Sequence, residues 1–373
     1  MIINSEKLKN VCSKILGAVD SNELSIVTET LELKTENNQL IMGVTNREYF
    51  VEIALPIDTN EEFHATVNAN LFLKLISQIT TADIELSCDS SSLNIKANGK
   101  YKLPLIFDDN ELLELPRIEL KNPVKSFTVS SDILNSILNY NSKELLKGAI
   151  SKPVQKLYYV DEQGAITFTS GACVNNFTLS EPIKLLLNDR VVKLFKLFKD
   201  CEVAVTLAYD SIDNNMIQTK IAFTTGNIKL TAILLNDDSL IASVPVSAIR
   251  GRANNIYNYS VNMDKNSLLQ TINRLMLFNS GNGLKENLKP YSLFEFNNDY
   301  VKIWDVNKIN NEVIKYTDCT LSDNYSAMID LVDFKATLDT CVEQYITLSF
   351  GDHQAFIISR GSIKNILPEV RTV

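Results

Sequence analysis

The chain has 373 residues, of which 45% are hydrophobic, and this fraction is sufficient for ordinary globular cores. No apolar run approaches the roughly 20 residues of a membrane-spanning helix, and no basic, apolar leader is present, so we expect a cytoplasmic protein without membrane contact. The formal charge of −9 argues against general attraction to nucleic acid, although a local group of cations can still bind phosphates.

Few residues suited to metal or covalent chemistry are present. The chain has only two histidines, and its cysteines form no close pair, so we expect buried, reduced thiols and no zinc site. Phosphate loops, dinucleotide fingerprints and a nucleophile with a histidine in evident reach are also missing from the sequence. We therefore predict no catalytic residues, no metal and no cofactor. The six cysteines are Cys12, Cys88, Cys173, Cys201, Cys319 and Cys341.

The first third of the chain begins with a predicted strand at residues 1–4. A helix from Ser5 to Val19 follows, with Ser5 as its expected N-cap. Alternating apolar residues from Thr28 predict three strands, with a turn at residues 36–38. Residues 63–107 then combine a helix that has an apolar stripe with strands that each have one buried face.

The remaining two thirds predict the same order of elements. Residues 115–125 and 244–255 contain proline and are interpreted as linkers. The strongest signals are a strand at 127–129, helices at 132–139 and 190–199, and a hairpin that turns near Gln163 and Gly164, followed by a strand at 259–261 and helices at 266–276 and 331–341.

The stretch 63–107 recurs in shorter form at residues 187–205 and 330–348. Alignment of the strands superimposes three apolar helix positions, which are Phe72 with Val191 and Phe334, Ile76 with Phe195 and Leu338, and Ile79 with Phe198 and Cys341. A threefold repeat determines the architecture. We predict an α+β protein of three repeated domains, each with two helices on one side of antiparallel sheets, at residues 1–123, 124–250 and 251–373.

Four predicted helices place cations opposite their apolar stripes, while the acidic excess lies in strands and turns. For any single helix, solubility is the simpler interpretation, and the helices at 132–139 and 331–341 present neutral faces. The repetition nevertheless favours a function for the cations. They are Lys7 and Lys14, Lys74, Arg190, Lys193, Lys196 and Lys199, and Arg274.

Six short sequences, spread from residue 43 to residue 370, resemble one family in their order and spacing. They are GVTNREYFVEI, TVNANLFLKLI, ANGKYKLPLIF, FTSGACV, SVP and ILPEV. With them the chain is similar to the bacterial DNA sliding clamp, the β subunit of DNA polymerase III. A divergent phage member, or one from a low-GC bacterium, would have the Asn-, Ile- and Lys-rich composition seen here.

The resemblance implies three clamp domains per chain and a head-to-tail homodimer that closes into a six-domain ring. Such a ring encircles double-stranded DNA, slides without sequence specificity and acts as a processivity factor for a replicative DNA polymerase, after assembly by a clamp loader. The helices would face the DNA backbone. The residues implied to contact DNA are Lys7, Lys14, Lys74, Lys147, Lys152, Arg190, Lys193, Lys196, Lys199 and Arg274.

The resemblance also implies a dimer interface and a pocket for a short partner peptide. Family positions for the interface match Tyr101, Leu103, Leu277 and Phe278, although Tyr101 and Leu103 could instead be ordinary core residues. Those for the pocket match Thr169, Gly171, Val174, Val244, Pro245, Ile366, Leu367 and Pro368. Ala172, Cys173 and Asp238 depart from the family pattern, so the accepted motif is left open.

The alternative function is a structural or virion protein built of repeated α+β domains that does not encircle DNA. The two functions differ in their assembly, because the clamp predicts a stable dimer.

Overall fold

A computed structural model describes residues 1–20, 25–58, 61–145, 152–212, 215–235, 238–279, 291–351 and 355–370. Lys147, one of the predicted DNA contacts, lies outside these ranges. Within them the chain consists of antiparallel strands and helices, so the α+β class is confirmed.

The first third contains most of the strands predicted from the alternating pattern. Its strands are β1 (Ile2–Asn4), β2 (Thr30–Glu36), β3 (Gln39–Thr45), β4 (Tyr49–Pro56), β5 (His64–Asn68), β6 (Asp83–Cys88), β7 (Ser92–Lys96), β8 (Lys100–Pro104), β9 (Phe107–Asp108) and β10 (Glu111–Leu112), and its helices are α1 (Ser5–Leu16) and α2 (Ala69–Gln78).

The middle third contains shorter helices. Its strands are β11 (Pro123–Ser130), β12 (Leu157–Asp161), β13 (Gly164–Phe168), β14 (Ala172–Asn176), β15 (Lys184–Asn188), β16 (Glu202–Ile212), β17 (Asn215–Thr225) and β18 (Ile228–Ile233). Its helices are α3 (Ser131–Ser136), α4 (Ser142–Glu144), α5 (Asp189–Lys193), α6 (Asp238–Ala242) and α7 (Val246–Asn254), with a π-helical turn at Ile137–Asn141 and a 3₁₀ turn at Leu194–Leu197.

The last third repeats the order of the first. Its strands are β19 (Tyr259–Asp264), β20 (Tyr291–Phe296), β21 (Tyr300–Trp304), β22 (Asn311–Lys315), β23 (Asp318–Cys319), β24 (Tyr325–Asp330), β25 (Tyr345–Phe350), β26 (Ala355–Arg360) and β27 (Ile363–Pro368), and its helices are α8 (Lys265–Asn279) and α9 (Leu331–Leu338).

The chain divides into two compact units, and the strands of the middle third are distributed between them. The first unit, Met1–Leu134 with Lys193–Asn236, contains sheets of order β1-β6-β7-β8, β10-β9 and β11-β16-β17-β18-β4-β3-β2-β5. The second unit, Asn135–Val192 with Asp237–Val373, contains sheets of order β15-β12-β13-β14-β27-β26-β25-β19-β23 and β22-β21-β20-β24. Because β18 pairs with β4 and β14 pairs with β27, the middle third contributes strands to sheets in both units. The limits of the three repeated domains remain a prediction.

The repeat is visible in the local structure. The three aligned stretches fold in the same order of strand, helix and strand, as β5-α2-β6, β15-α5-β16 and β24-α9-β25. All nine superimposed apolar positions are buried, from Phe72 and Val191 to Cys341. The apolar stripe therefore marks the core-facing side of an equivalent helix in each third.

Several local predictions are wrong. Residues 244–255 were expected to be a linker, but most of them form α7, which packs against β14 and β27. The N-cap of α1 is Asn4 rather than Ser5, since the Asn4 side chain accepts a hydrogen bond from the Lys7 backbone at 3.1 Å and Ser5 is buried. The helix expected at 190–199 ends at Lys193 and continues as a 3₁₀ turn.

The cysteines are all free thiols, and only three of them are buried. Cys12, Cys173 and Cys341 lie in the core, whereas Cys88 is exposed. Burial raises the pKa of the Cys12 thiol to about 12, so this group is inert. The expectation of buried thiols is therefore wrong for Cys88, which lies at the end of β6.

Candidate partner cleft and basic helix faces

The second unit contains an open cleft of about 280 Å³, which we call the α7 cleft. Helix α7 forms one side, and the turn between β13 and β14 together with the end of β27 forms the other. Its lining is mostly apolar, as expected for a groove that accepts a peptide. The lining residues are Phe168, Thr169, Ser170, Gly171, Ala172, Pro245, Ala248, Ile249, Arg252, Ile366 and Pro368.

Helix α7 is fixed to the sheet by a largely buried ion pair. Arg250 donates from Nη1 to Asp161 Oδ2 at 2.7 Å and from Nη2 to Oδ1 at 2.6 Å. Such a bidentate pair defines orientation as well as distance. Ile249 and Ala253, on the same helix, are buried in the hydrophobic cluster beside the cleft. The wall that carries Arg252 is therefore positioned by both charge and packing.

The turn on the opposite side is anchored by side chains from three elements. Thr169 donates its hydroxyl to Glu144 Oε1 at 3.0 Å, and Gln155 Nε2 donates to the Thr169 carbonyl at 3.1 Å. Ser170 donates its hydroxyl to Asp333 Oδ2 at 2.7 Å. Glu144 and Asp333 are both buried, and hydrogen bonding to the hydroxyls compensates part of the cost of burying the carboxylates.

Gly171 is required for the close approach of this turn to β27. A Cβ at this position would lie 2.2 Å from the backbone oxygen of Ile366, far inside van der Waals contact. Any side chain here would displace the end of β27, which forms part of the same cleft.

Five of the eight predicted pocket residues line the cleft: Thr169, Gly171, Pro245, Ile366 and Pro368. Val174, Val244 and Leu367 are instead buried in the hydrophobic core, so the structure does not bring them to the cleft surface. The sequence prediction missed Phe168, Ser170, Ala248, Ile249 and Arg252, and it named Ala172 only as a departure from the family pattern. Three of these belong to α7, which had been interpreted as a linker.

Basic side chains lie on the exposed sides of helices in the first unit. Lys7 and Lys74 are exposed on α1 and α2, which pack against each other. Lys196 lies beside the C-terminal end of α1, because its Nζ is 2.9 Å from the place that a Cβ on Gly17 would occupy. A cation there is favoured by the partial negative charge of the last helical carbonyls. Lys14 is half-buried in the last turn of α1.

The remaining predicted cations differ in their surroundings. Lys193 and Lys199 are exposed in the first unit, and Lys152 and Arg190 are exposed in the second. Arg274 Nε donates to Glu312 Oε1 at 2.7 Å, and this hydrogen bonding lowers the pKa of Glu312. The carboxylate offsets much of the charge that Arg274 would present.

The polar face of α1 also carries an acid that the sequence prediction did not place there. Glu6 lies with Lys7, Lys9, Asn10 and Ser13 around a shallow depression, and its Oε1 is 3.5 Å from Lys9 Nζ. The basic face is therefore less uniform at the beginning of α1 than the sequence indicated.

The four predicted interface residues divide into exposed and buried ones. Leu277 and Phe278, in the last turn of α8, are 71% and 47% exposed. Leu103 is only 2% exposed and belongs to the core of its own chain, while Tyr101 is half-buried. The strand that carries both, β8, is an edge strand of its sheet, and β22 is an edge strand in the second unit.

The described residues offer neither a metal site nor a membrane-spanning helix. Within the described ranges, no group of three or more His, Cys, Asp or Glu is placed to hold a metal ion. Among the helices in the described part of the chain, none has the length and apolar character needed to cross a membrane.

Residues 1–114 match the family model for the DNA polymerase III beta subunit, N-terminal domain. No curated protein sequence matches the chain. Solved structures match along its full length. They include the DNA polymerase sliding clamp from Bacillus subtilis, at 14% identity and a TM-score of 0.77, with 100% of this chain and 99% of that one covered.

The beta subunit from Streptococcus pyogenes matches at 13% identity and a TM-score of 0.80, with 100% and 99% coverage. The sliding clamp from Pseudomonas aeruginosa bound to griselimycin matches at 14% identity and a TM-score of 0.81, with the same coverage of both chains. At these identities the likeness establishes the fold.

Proposed function

We propose that this chain, which resembles the bacterial sliding clamp by sequence in its first 114 residues and has the sliding-clamp fold throughout, is a non-enzymatic processivity factor for a replicative DNA polymerase. The observation that carries the proposal is the full-length agreement with sliding-clamp structures at TM-scores of 0.77 to 0.81. A structural or virion protein that shares only separate α+β domains is not favoured by an agreement over 100% of the chain.

The DNA-facing surface is the set of basic helix faces. Exposed lysines such as Lys7, Lys74, Lys193 and Lys196 attract the phosphates of the DNA backbone and displace their counterions, without hydrogen bonds to the bases. This mode of contact suits a protein that slides, because no single register on the duplex is preferred. It also reconciles DNA binding with an acidic chain, because binding depends on where the cations lie rather than on the net charge.

Two copies of the chain form the closed ring of six domains. The free edge of β8 pairs with the free edge of β22 on the second copy, and Leu277 and Phe278 pack beside this junction. A head-to-tail pairing of this kind covers two sheet edges and an exposed apolar pair in each chain. In solution, the expected mass is about twice the 41.9 kDa of one chain.

The α7 cleft is the docking site through which the ring holds the polymerase and the clamp loader. An extended peptide lays apolar side chains against Phe168, Ile249 and Ile366, while the Thr169–Gly171 turn offers backbone groups. The ring supplies topological retention on DNA, and the cleft supplies the tether.

Primer extension on a long primed circular template tests this proposal, with the replicative polymerase and loader of the source genome. We expect the protein to lengthen the products, and we expect the variant with Arg190→Glu, Lys193→Glu and Lys196→Glu to lose this stimulation while remaining dimeric. A matched triple variant, Lys34→Glu, Lys121→Glu and Lys184→Glu, changes the net charge equally at exposed sites outside the helices and should retain it. Full stimulation by the first variant would contradict the proposed DNA-facing surface.

A further inference from the structure

One charged side chain stands out in the lining of the α7 cleft. Ten of the eleven lining residues are uncharged, and the eleventh is Arg252, which is exposed in the last turn of α7. The neighbouring Arg250 points its guanidinium to Asp161 and is already engaged there. Arg252 is therefore the residue through which the cleft can distinguish a charged ligand from a neutral one.

The C-terminal end of α7 has features that allow an anion to bind nearby. Terminal helix carbonyls normally repel negative charge. Here the Tyr257 hydroxyl donates to the Arg252 carbonyl at 3.0 Å, and Lys364 Nζ donates to the Ala253 carbonyl at 3.0 Å and to Asn254 Oδ1 at 2.9 Å. A second cation thus lies at the same helix end, and two of its carbonyls are satisfied.

The opposite side of the cleft has the reverse electrostatic character. The Glu144 Oε1 atom lies 3.4 Å from the place that a Cβ on Gly171 would occupy, directly behind the turn. The buried Asp333 carboxylate is bound to the hydroxyl of Ser170 in the same turn. An anionic group is therefore disfavoured at the turn and favoured at α7, so a ligand with one anionic end binds in a single orientation.

We propose that the α7 cleft selects peptides that place a carboxylate beside their apolar anchors, and that Arg252 is the residue that determines this specificity. The inference rests on the proposed function of the cleft and adds the chemistry of its partner. The apolar anchors occupy the part of the cleft lined by Phe168, Ile249 and Ile366, while the carboxylate pairs with the guanidinium in a charge-assisted hydrogen bond. The carboxylate is that of an Asp or Glu side chain within the peptide, next to the anchors.

A displayed library of random heptapeptides, selected on the full-length protein, tests the specificity. The library is presented once with free C-termini and once followed by a fixed linker, so that the two sources of carboxylate give separate results. We expect Asp or Glu to be enriched at one position beside apolar residues in both libraries. Selection that succeeds only with free C-termini, without enrichment of Asp or Glu, would overturn the side-chain carboxylate. Selection on an Arg252→Glu variant should enrich Lys or Arg at that position instead.

Binding of the selected peptides, measured by fluorescence anisotropy, gives the magnitude. Replacing the carboxylate by its amide should weaken binding by about five- to tenfold at low salt, the range of a charge-assisted bond at a partly exposed site, and less at high salt. Arg252→Glu should weaken peptide binding at least as much. Lys34→Glu changes the net charge by the same amount at a position on β2, outside the cleft, and should have no effect.

The Ala248→Trp variant separates the docking function of the cleft from the role of Arg252 in specificity, because the tryptophan fills the cleft from an exposed helix position. Peptides that lose binding to this variant but show no preference for a carboxylate would overturn the role of Arg252 and leave the proposed function intact. Failure to recover any peptide that depends on the cleft would overturn both.

Discussion

At the level of single residues, Glu32 is a buried charge with two side-chain partners, and its side chain is 2% exposed. Its Oε1 lies 3.0 Å from His64 Nε2, and its Oε2 accepts from Arg117 Nη2 at 3.0 Å. Arg117 comes from the segment after β10 and also lies over the Phe50 ring, 5.1 Å from the centroid. This cluster ties the segment to the face of the eight-stranded sheet.

We predict that this cluster makes stability dependent on acid. Burial alone would raise the pKa of Glu32, but the hydrogen bonds and charges of His64 and Arg117 outweigh it and lower the pKa below its usual value. Because the folded pKa is depressed, the stabilisation is present in full above the unfolded value of about 4.3 and is lost as the pH falls through the folded pKa. Glu32→Gln should cost about 2–3 kcal/mol of unfolding free energy at pH 7, measured in urea.

The difference between wild type and Glu32→Gln should shrink as the pH falls below the unfolded pKa. Glu85→Gln is the matched control, because its partner Lys96 lies 2.9 Å away in an exposed pair that contributes little. A Glu32→Gln cost that stayed constant down to pH 3 would exclude ionised Glu32 as the source of the stabilisation.

A second prediction concerns the ion pair that positions α7. Arg250→Ala leaves the Asp161 carboxylate, 6% exposed, without its main partner, and should cost about 3–5 kcal/mol in urea unfolding. Amide hydrogen exchange across residues 246–254 should accelerate more than elsewhere. Arg250→Met combined with Asp161→Leu removes both charges and should recover most of the loss, whereas a single variant as stable as wild type would show that packing alone holds the helix.

Individual residues were predictable where a motif fixes the backbone. The resemblance of the Phe168–Val174 sequence to the family pattern predicted Thr169 and Gly171 as pocket residues, and both line the α7 cleft. Arg252 was missed because its position depends on a helix held by a distant residue, Asp161. Leu103 matched an interface position in the family pattern, with an ordinary core residue as the alternative, and its 2% exposure agrees with a place in the core.

At the level of elements, the exposed end of α8 carries the clearest prediction about assembly. Leu277→Asp with Phe278→Asp places two charges in the proposed junction, so the mass in solution should fall from that of two chains to that of one. Ile256→Asp is the control, because Ile256 is 93% exposed but lies outside the junction. Light scattering after gel filtration provides the masses, and a dimer that survives the double change would place the interface elsewhere.

Helices with a regular apolar stripe were predicted to within a few residues, as α2 and α8 show. Helices α4, α6 and α7 of the middle third were not predicted. The sequence of α7 contains Gly251 and follows Pro245, which is typical of a linker, and tertiary contacts through Arg250 and Ile249 override that preference. The π-helical turn at Ile137–Asn141 ends at the buried Asn141, whose amide donates to the Ala165 carbonyl at 3.4 Å. The local pattern did not reveal this long-range contact.

At the level of the whole molecule, the threefold repeat was the decisive signal in the sequence. It predicted three equivalent strand-helix-strand segments, and these are present with every aligned apolar position buried. The sequence did not reveal that strands of the middle third join sheets in both units, because pairings such as β4 with β18 link residues far apart along the chain.

The measurement that tests the central proposal most directly is electron microscopy of single, negatively stained particles of the purified protein. We expect closed rings of two chains, with six lobes around a hole wide enough for duplex DNA. The triple variant with Arg190→Glu, Lys193→Glu and Lys196→Glu should give the same rings, since it changes the surface of the hole and not the junctions. Particles that contain two chains but no central opening, or that contain one chain only, would contradict the account.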